Sequence, residues 1–289
     1  MRKILVGLND TPLAVAGAQY AAQLAKATGS GLVLAYVSRP LPKSALREKS
    51  ADELKRLEHA YAEELLGRAA AELRVECERV HAWGDPVEEI LKLSERSEIW
   101  LTAAAARPRS GLGKVFYGGF AHRLARNAHR NVLVTHDDPN RMPLVVKDNR
   151  MPVYVVGIDG SEPSNRALDE AMALAKITSA SLYVVSVIQP VFIAESFAIP
   201  SELAVSQQQH AEQVLRDARA RVGEQVKAEF KTSVGSPALE LEEVAKQVGG
   251  SLLVVGDTGR GAAGRAFFGS TADRLVNLAH RNVFVSKKH

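Results

Sequence analysis

Five glycines, Gly256, Gly259, Gly261, Gly264 and Gly269, punctuate a segment that leaves the apolar run Ser251–Val255 and enters a helical pattern at Ser270 and Thr271. Glycine lets the main chain approach an anion closely and adopt positive φ, so successive N–H groups can converge on phosphate oxygens. A helix opening at Ser270 offers unpaired N–H groups and a dipole that favour negative charge, and the two hydroxyls add donors. Arg260 and Arg265 bring positive charge, and Asp159, at the end of a separate β-branched run, is suited to accept from ribose hydroxyls. The chemistry indicated is the holding of a nucleotide. The loop is not a Walker A motif, since no Gly-Lys-Ser/Thr follows, nor a G-x-G-x-x-G after a first strand. A serine nucleophile would want G-x-S-x-G on a strand-to-helix turn, which is absent. The eight histidines show no His-x-x-x-His pattern, and His129 and His280 sit at equivalent helix-to-strand junctions, where a structural role suffices. No catalytic residue and no metal ligand is therefore expected.

The elements that must position this loop emerge from an internal repeat. Ala128-His129-Arg130-Asn131-Val132 recurs at Ala279-His280-Arg281-Asn282-Val283, an offset of 151, and Gly84-Asp85-Pro86 faces Gly235-Ser236-Pro237 at the same offset. Lys3–Asn9 matches Val153–Asp159 at an offset of 150. Three landmarks in order describe a duplicated domain. The boundaries that follow are 1–138 for the first domain, 139–151 for a polar, proline-bearing linker, and 152–289 for the second.

Within the second half, strands are expected at Val153–Asp159, Ser181–Val187, Ala228–Thr232, Ser251–Gly256 and Asn282–Ser286, with helices at Asn165–Ile177, Ala238–Val248 and Thr271–Ala279 between them. In the first half, Ser50-Ala51-Asp52-Glu53 is a capping box opening a helix with Leu54, Leu57, Tyr61 and Leu65 as its apolar stripe. Such alternation implies an α/β fold, two tandem Rossmann-like domains each with a mostly parallel sheet covered by helices on both faces. Ligands then sit at the carboxyl ends of the strands, where the strand order switches.

Composition is that of a globular chain with a sizeable core: 289 residues, 46% hydrophobic and 24% charged. A net charge of +4, with basic and acidic residues interspersed, gives no footing for nucleic acid. Cys77 is the sole cysteine, so no internal disulfide can form, and the apolar run after Met1 is too short for a signal peptide or a membrane span. A cytoplasmic location is expected. Arg123, Arg126 and Arg130 read as a solvated helix face.

The spacing Gly256-x2-Gly259-x9-Gly269-Ser270, with Val-Gly-Ile-Asp-Gly-Ser at 156–161 and Gly-x-Pro at 235–237, resembles the ATP-binding motif of universal stress proteins, and the likeness covers nearly the whole chain twice. The resemblance implies a five-stranded parallel sheet of order 3-2-1-4-5 in each domain, pairing of lobes or of chains through the last strands, and binding of ATP, or AMP or ADP, with or without Mg²⁺, in stress-related regulation without more than slow hydrolysis. Carried over residue by residue, it implies that Asp159 holds the ribose and that the backbone of Val187 meets the adenine edge. Gly256, Thr258 and Gly259 would line ribose and phosphates, and Gly269, Ser270, Thr271 and Ala272 would bind phosphate. Asp257 departs from the pattern, an acid inside the loop that would repel a triphosphate if it pointed inward.

In the first domain Asn9 replaces Asp159, Ala105 replaces Gly256, Pro108 replaces Gly259, and Gly118-Gly119 replaces Gly269-Ser270. These changes lose a charged acceptor, an N–H and a hydroxyl. An empty first site is expected, unless Arg107, Arg109, Ser110, Gly111 and Gly113 form an anion loop in shifted register. The alternative to a nucleotide-binding regulator is a nucleotide-free scaffold or carrier of a small apolar ligand, capped by Phe192, Ile193, Phe197 and Ile199 within Phe192–Gln209.

Overall fold

The computed structural model describes residues 1–40, 50–106, 119–136, 144–145, 151–190, 201–259 and 268–288. The chain divides into two compact units, Met1–Pro139 and Asn140–Lys288, with the terminal His289 counted with the first. The first runs β1 (Lys3–Leu8), α1 (Pro12–Thr28), β2 (Gly31–Ser38), α2 (Ala51–Leu73), β3 (Cys77–Trp83), α3 (Pro86–Ser94), β4 (Ile99–Ala105), α4 (Phe120–Asn127) and β5 (Asn131–Thr135). The second repeats it as β6 (Val153–Ile158), α5 (Glu162–Thr178), β7 (Ser181–Ile188), α6 (Ser201–Val222), β8 (Ala228–Val234), α7 (Pro237–Val248), β9 (Leu252–Gly256), α8 (Ser270–Leu278) and β10 (Asn282–Ser286).

Each unit orders its strands 3-2-1-4-5, β3-β2-β1-β4-β5 in the first and β8-β7-β6-β9-β10 in the second, and every pairing within a unit is parallel. In the second unit, α5 lies against α6 and α7 against α8, each pair covering one face of the sheet, as right-handed crossovers in opposite directions demand. Central strands are consequently buried on both faces: Tyr154, Val155, Val156, Leu253 and Val254 have no exposed surface.

Helix α5 opens three residues before its expected start because Ser161 caps it, accepting from the Ser164 amide at 3.3 Å, and Pro163 is tolerated in a first turn where its missing N–H costs nothing. Ser50 caps α2 as its sequence indicates, accepting from the Glu53 amide at 3.2 Å. The expected apolar stripe on α2 needs correcting. Leu57 is 51% exposed, and the buried positions are Ala62, Leu65, Leu66 and Ala69, so the seam lies further along the helix. Arg123 is not simply solvated either: it pairs with Asp85, the cap of α3, at 3.2 Å, and Arg274 makes the equivalent contact with Ser236 at 3.1 Å.

Leu144 is buried although it lies in the expected linker. Its carbonyl accepts from the hydroxyl of Tyr154, which also lies 2.8 Å from Thr178 Oγ1 in a fully buried position. Replacing Tyr154 by phenylalanine leaves these acceptors without that partner and is expected to lower stability by about 1–3 kcal/mol, readable as a shifted midpoint in urea unfolding at unchanged slope.

Candidate functional site

In the second unit the chain leaves β6 and turns toward β7 on one side, and returns after β8 to lay β9 on the other. That reversal opens a crevice at the carboxyl ends of β6 and β9, between the turn at 159–161 and the loop that starts at 257. Both sequence-derived clusters, Asp159 on one wall and the glycine loop on the other, meet there.

Asp159 is fixed by its own turn. Its Oδ1 accepts from the Ser161 amide at 3.0 Å and from the Ser161 hydroxyl at 2.5 Å, and its own amide donates to Ser164 Oγ at 3.2 Å. With Oδ1 committed, Oδ2 is the oxygen directed at the glycine loop: a Cβ built on Gly259 would stand 2.9 Å from it. Gly160 completes the turn at φ +81, a conformation suited to glycine.

The other two glycines of the motif serve packing as well. A Cβ on Gly256 would lie 2.7 Å from the backbone of Pro163, so the end of β9 touches the start of α5. On Gly269 it would lie 3.1 Å from Thr258 Cα. The Gly269 amide donates to the Asp257 carbonyl at 2.7 Å, closing the loop at its base. Beyond it, α8 has no side-chain cap, in contrast to Ser161-capped α5, and its intrahelical ladder begins with Asp273 N donating to Gly269 O. The amides of Ser270, Thr271 and Ala272 are thus the helix-terminal donors facing the loop side. Val187 lies one residue past the last β6 pairing, Ile158 with Ser186, so its main chain on the crevice side is beyond the ladder. Arg260, Gly261, Gly264 and Arg265 lie outside the described residues.

Asp257 is directed at cations. Its Oδ1 lies 3.4 Å from Arg166 on α5 and its Oδ2 4.0 Å from Lys287 just after β10. Lys287 has a side chain only 5% exposed and sits 5.0 Å above the Phe268 ring. Burial depresses its ammonium to about 8, with Asp257 pulling the other way. The acid that breaks the sequence pattern is therefore balanced by two basic groups from elements far away in sequence.

A residue that motif spacing does not reveal is His210 on α6, whose Nε2 lies 3.4 Å from the Asp159 carbonyl oxygen. Matching the buried Ala62, Leu65 and Ala69 of α2 to Ala211, Val214 and Ala218 of α6 places it where the first unit has Tyr61.

The first unit shows what replaces the site. Asn9 builds the same turn, its Oδ1 accepting from the Thr11 amide at 3.1 Å and hydroxyl at 2.6 Å, so an amide nitrogen stands in place of the second oxygen of Asp159. Tyr36 occupies the register position of Ser186, each paired with the last residue of the first strand. Its ring meets Tyr61 edge-on at 5.8 Å, its hydroxyl donates to Glu58 at 3.2 Å, and burial with nearby Glu58 pushes the phenol up to about 12. Ala105 is accommodated by Gly17, whose added Cβ would lie 3.4 Å from the Ala105 methyl. Gly119 begins α4, and Arg107, Pro108, Arg109, Ser110, Gly111, Gly113 and Gly118 lie outside the described residues, as do Phe192, Ile193, Phe197 and Ile199. Among the described residues no helix is long and apolar enough to cross a membrane.

The model of the universal stress protein family matches twice, over residues 1–136 and 153–287. A universal stress protein of Mycobacterium tuberculosis is 26% identical over 295 residues, covering 99% of this chain and 96% of its own. A universal stress protein of Methanocaldococcus jannaschii is 32% identical over 146 residues, 49% of this chain and 85% of that one. Among solved structures, a universal stress protein from Archaeoglobus fulgidus superposes with a TM-score of 0.72 at 18% identity, covering 99% of this chain and 98% of that chain.

Proposed function

The chain belongs to the universal stress protein family, and from that premise we propose that it is a regulator that binds one adenine nucleotide per chain, in its C-terminal unit, and holds it rather than turning it over. The observation that carries this reading is the Asp159 carboxylate, anchored through Oδ1 by Ser161 with Oδ2 directed at Gly259, opposite a helix terminus that lacks a side-chain cap. Asp159 would hold the ribose, the Val187 main chain the adenine edge, Thr258 and Gly259 the ribose–phosphate junction, and Ser270, Thr271 and Ala272 the phosphates. The protein's part is binding and orientation. Neither acid beside the loop is placed as a general base, because Asp159 is engaged by its turn and Asp257 faces Arg166 and Lys287.

The first unit is read as empty of nucleotide, with Asn9, Ala105 and the Tyr36 ring altering ribose, loop and base positions together. Denaturing freshly purified protein and identifying the released small molecule by mass spectrometry tests the assignment. An adenine nucleotide at close to one equivalent supports it. Absence of nucleotide, followed by no binding of ATP with or without Mg²⁺ at millimolar concentration, would overturn it in favour of a nucleotide-free scaffold.

A further inference from the structure

Away from that crevice, the α2 face of the first unit carries a connected set of polar aromatic side chains. His81 on β3 faces His59 on α2 with their Nδ1 atoms 3.0 Å apart, the ring planes only 19° from parallel and the centroids 5.3 Å apart. The other nitrogen of His81, Nε2, lies 2.8 Å from Ser38 Oγ, and that hydroxyl lies 2.8 Å from Glu58 Oε1. Ser38 is 1% exposed and has one proton, which the carboxylate takes. His81 Nε2 must then donate to the Ser38 oxygen, leaving Nδ1 as a bare lone pair aimed at His59. An imidazole whose far nitrogen is anchored through a hydroxyl to a carboxylate has the outer-shell support that metal-bound histidines receive.

We propose that His59 and His81 form a binding site for a divalent transition-metal cation such as Zn²⁺ or Cu²⁺, held between the two Nδ1 atoms. A tetrahedral ion with imidazole nitrogens at about 2.0–2.1 Å holds those nitrogens about 3.3 Å apart, so the observed pair needs to open by only about 0.3 Å. His59 is exposed, so it can make that adjustment, its Nδ1 proton moving to Nε2 through solvent. Tyr36 and Trp83 pack against His81, and Tyr61 against Tyr36, with water to complete the shell of a bound ion. The described residues contain no ready-made group of three or more ligands, so affinity rests on the histidine pair. In the second unit Gln208 and Thr232 stand at the positions of His59 and His81, which confines the site to the first unit.

The test is titration calorimetry of Zn²⁺ into untagged, metal-stripped full-length protein, with Co²⁺ absorption as the ligand-field readout. One ion per chain is expected, weakened at least about tenfold by His59→Ala or His81→Ala and about 10–100-fold by Ser38→Ala, through loss of the anchor. His210→Ala is expected to change nothing. Absence of binding at millimolar Zn²⁺, or binding retained in the His59→Ala/His81→Ala double variant with its melting curve intact, overturns the proposal.

Discussion

Asp159→Asn is expected to weaken adenine-nucleotide binding by roughly 10–100-fold while leaving the fold unchanged. The substitution reproduces what the first unit already contains. Asn9 makes the same two hydrogen bonds to Thr11 that Asp159 makes to Ser161, so the turn before α5 survives. What changes is the outer atom, from a carboxylate oxygen to an amide nitrogen that donates, directly across from Gly259. A hydrogen bond to a charged group contributes about 1.5–3 kcal/mol, and each 1.4 kcal/mol is a factor of ten. Calorimetric titration with ATP, beside unfolding curves of both proteins, separates binding from stability. Glycine substitutions are poorer probes, because a side chain at Gly256 would strike the Pro163 backbone and unfold the site for reasons unrelated to ligand.

The second large effect is on stability. The ammonium of Lys287 is depressed from 10.5 to about 8 by burial. Its folded value lies below its unfolded value, so between about pH 8 and 10.5 the unfolded chain binds more protons and stability rises with pH. Below that window the full cost of burying the charge is present, at most about 3 kcal/mol at 1.36 kcal/mol per pKa unit. Lys287→Met is expected to be more stable than the parent at pH 7, with the difference shrinking as pH climbs through the window, because methionine fills the same apolar space over Phe268 without a charge. Urea unfolding of both proteins at several pH values reads this difference directly and cancels other groups that titrate there. Parallel stability–pH curves for the two would contradict the assignment.

How much of this was legible in the sequence follows from the range over which each feature acts. The repeated Ala-His-Arg-Asn-Val and the alternation of short β-branched runs with helical spacing fix the five-stranded α/β unit, because periodicity is local and duplication makes it visible twice. The positions of the crevice residues are legible for the same reason, Asp159, Val187 and Gly256 at strand ends and Gly269 to Ala272 at a helix start. The start of α5 shifts because Ser161 caps it, so the helix opens at Glu162, three residues before the expected Asn165. Features made by distant pairs are not legible. Arg166 reaches Asp257 across 91 residues, and nothing near Asp257 announces the partner that balances it. His59 and His81, 22 residues apart, match no ligand spacing until α2 folds over β3. Leu57 shows the converse, a periodic apolar residue that the packing leaves outside.

The most direct test of the central claim is the stoichiometry of ATP binding to nucleotide-stripped full-length protein, measured by titration calorimetry for the parent, Asp159→Asn and Asn9→Ala. One site per chain in the parent, lost or strongly weakened in Asp159→Asn and untouched in Asn9→Ala, is the predicted result. Two sites per chain, no site, or binding indifferent to Asp159→Asn would contradict the account.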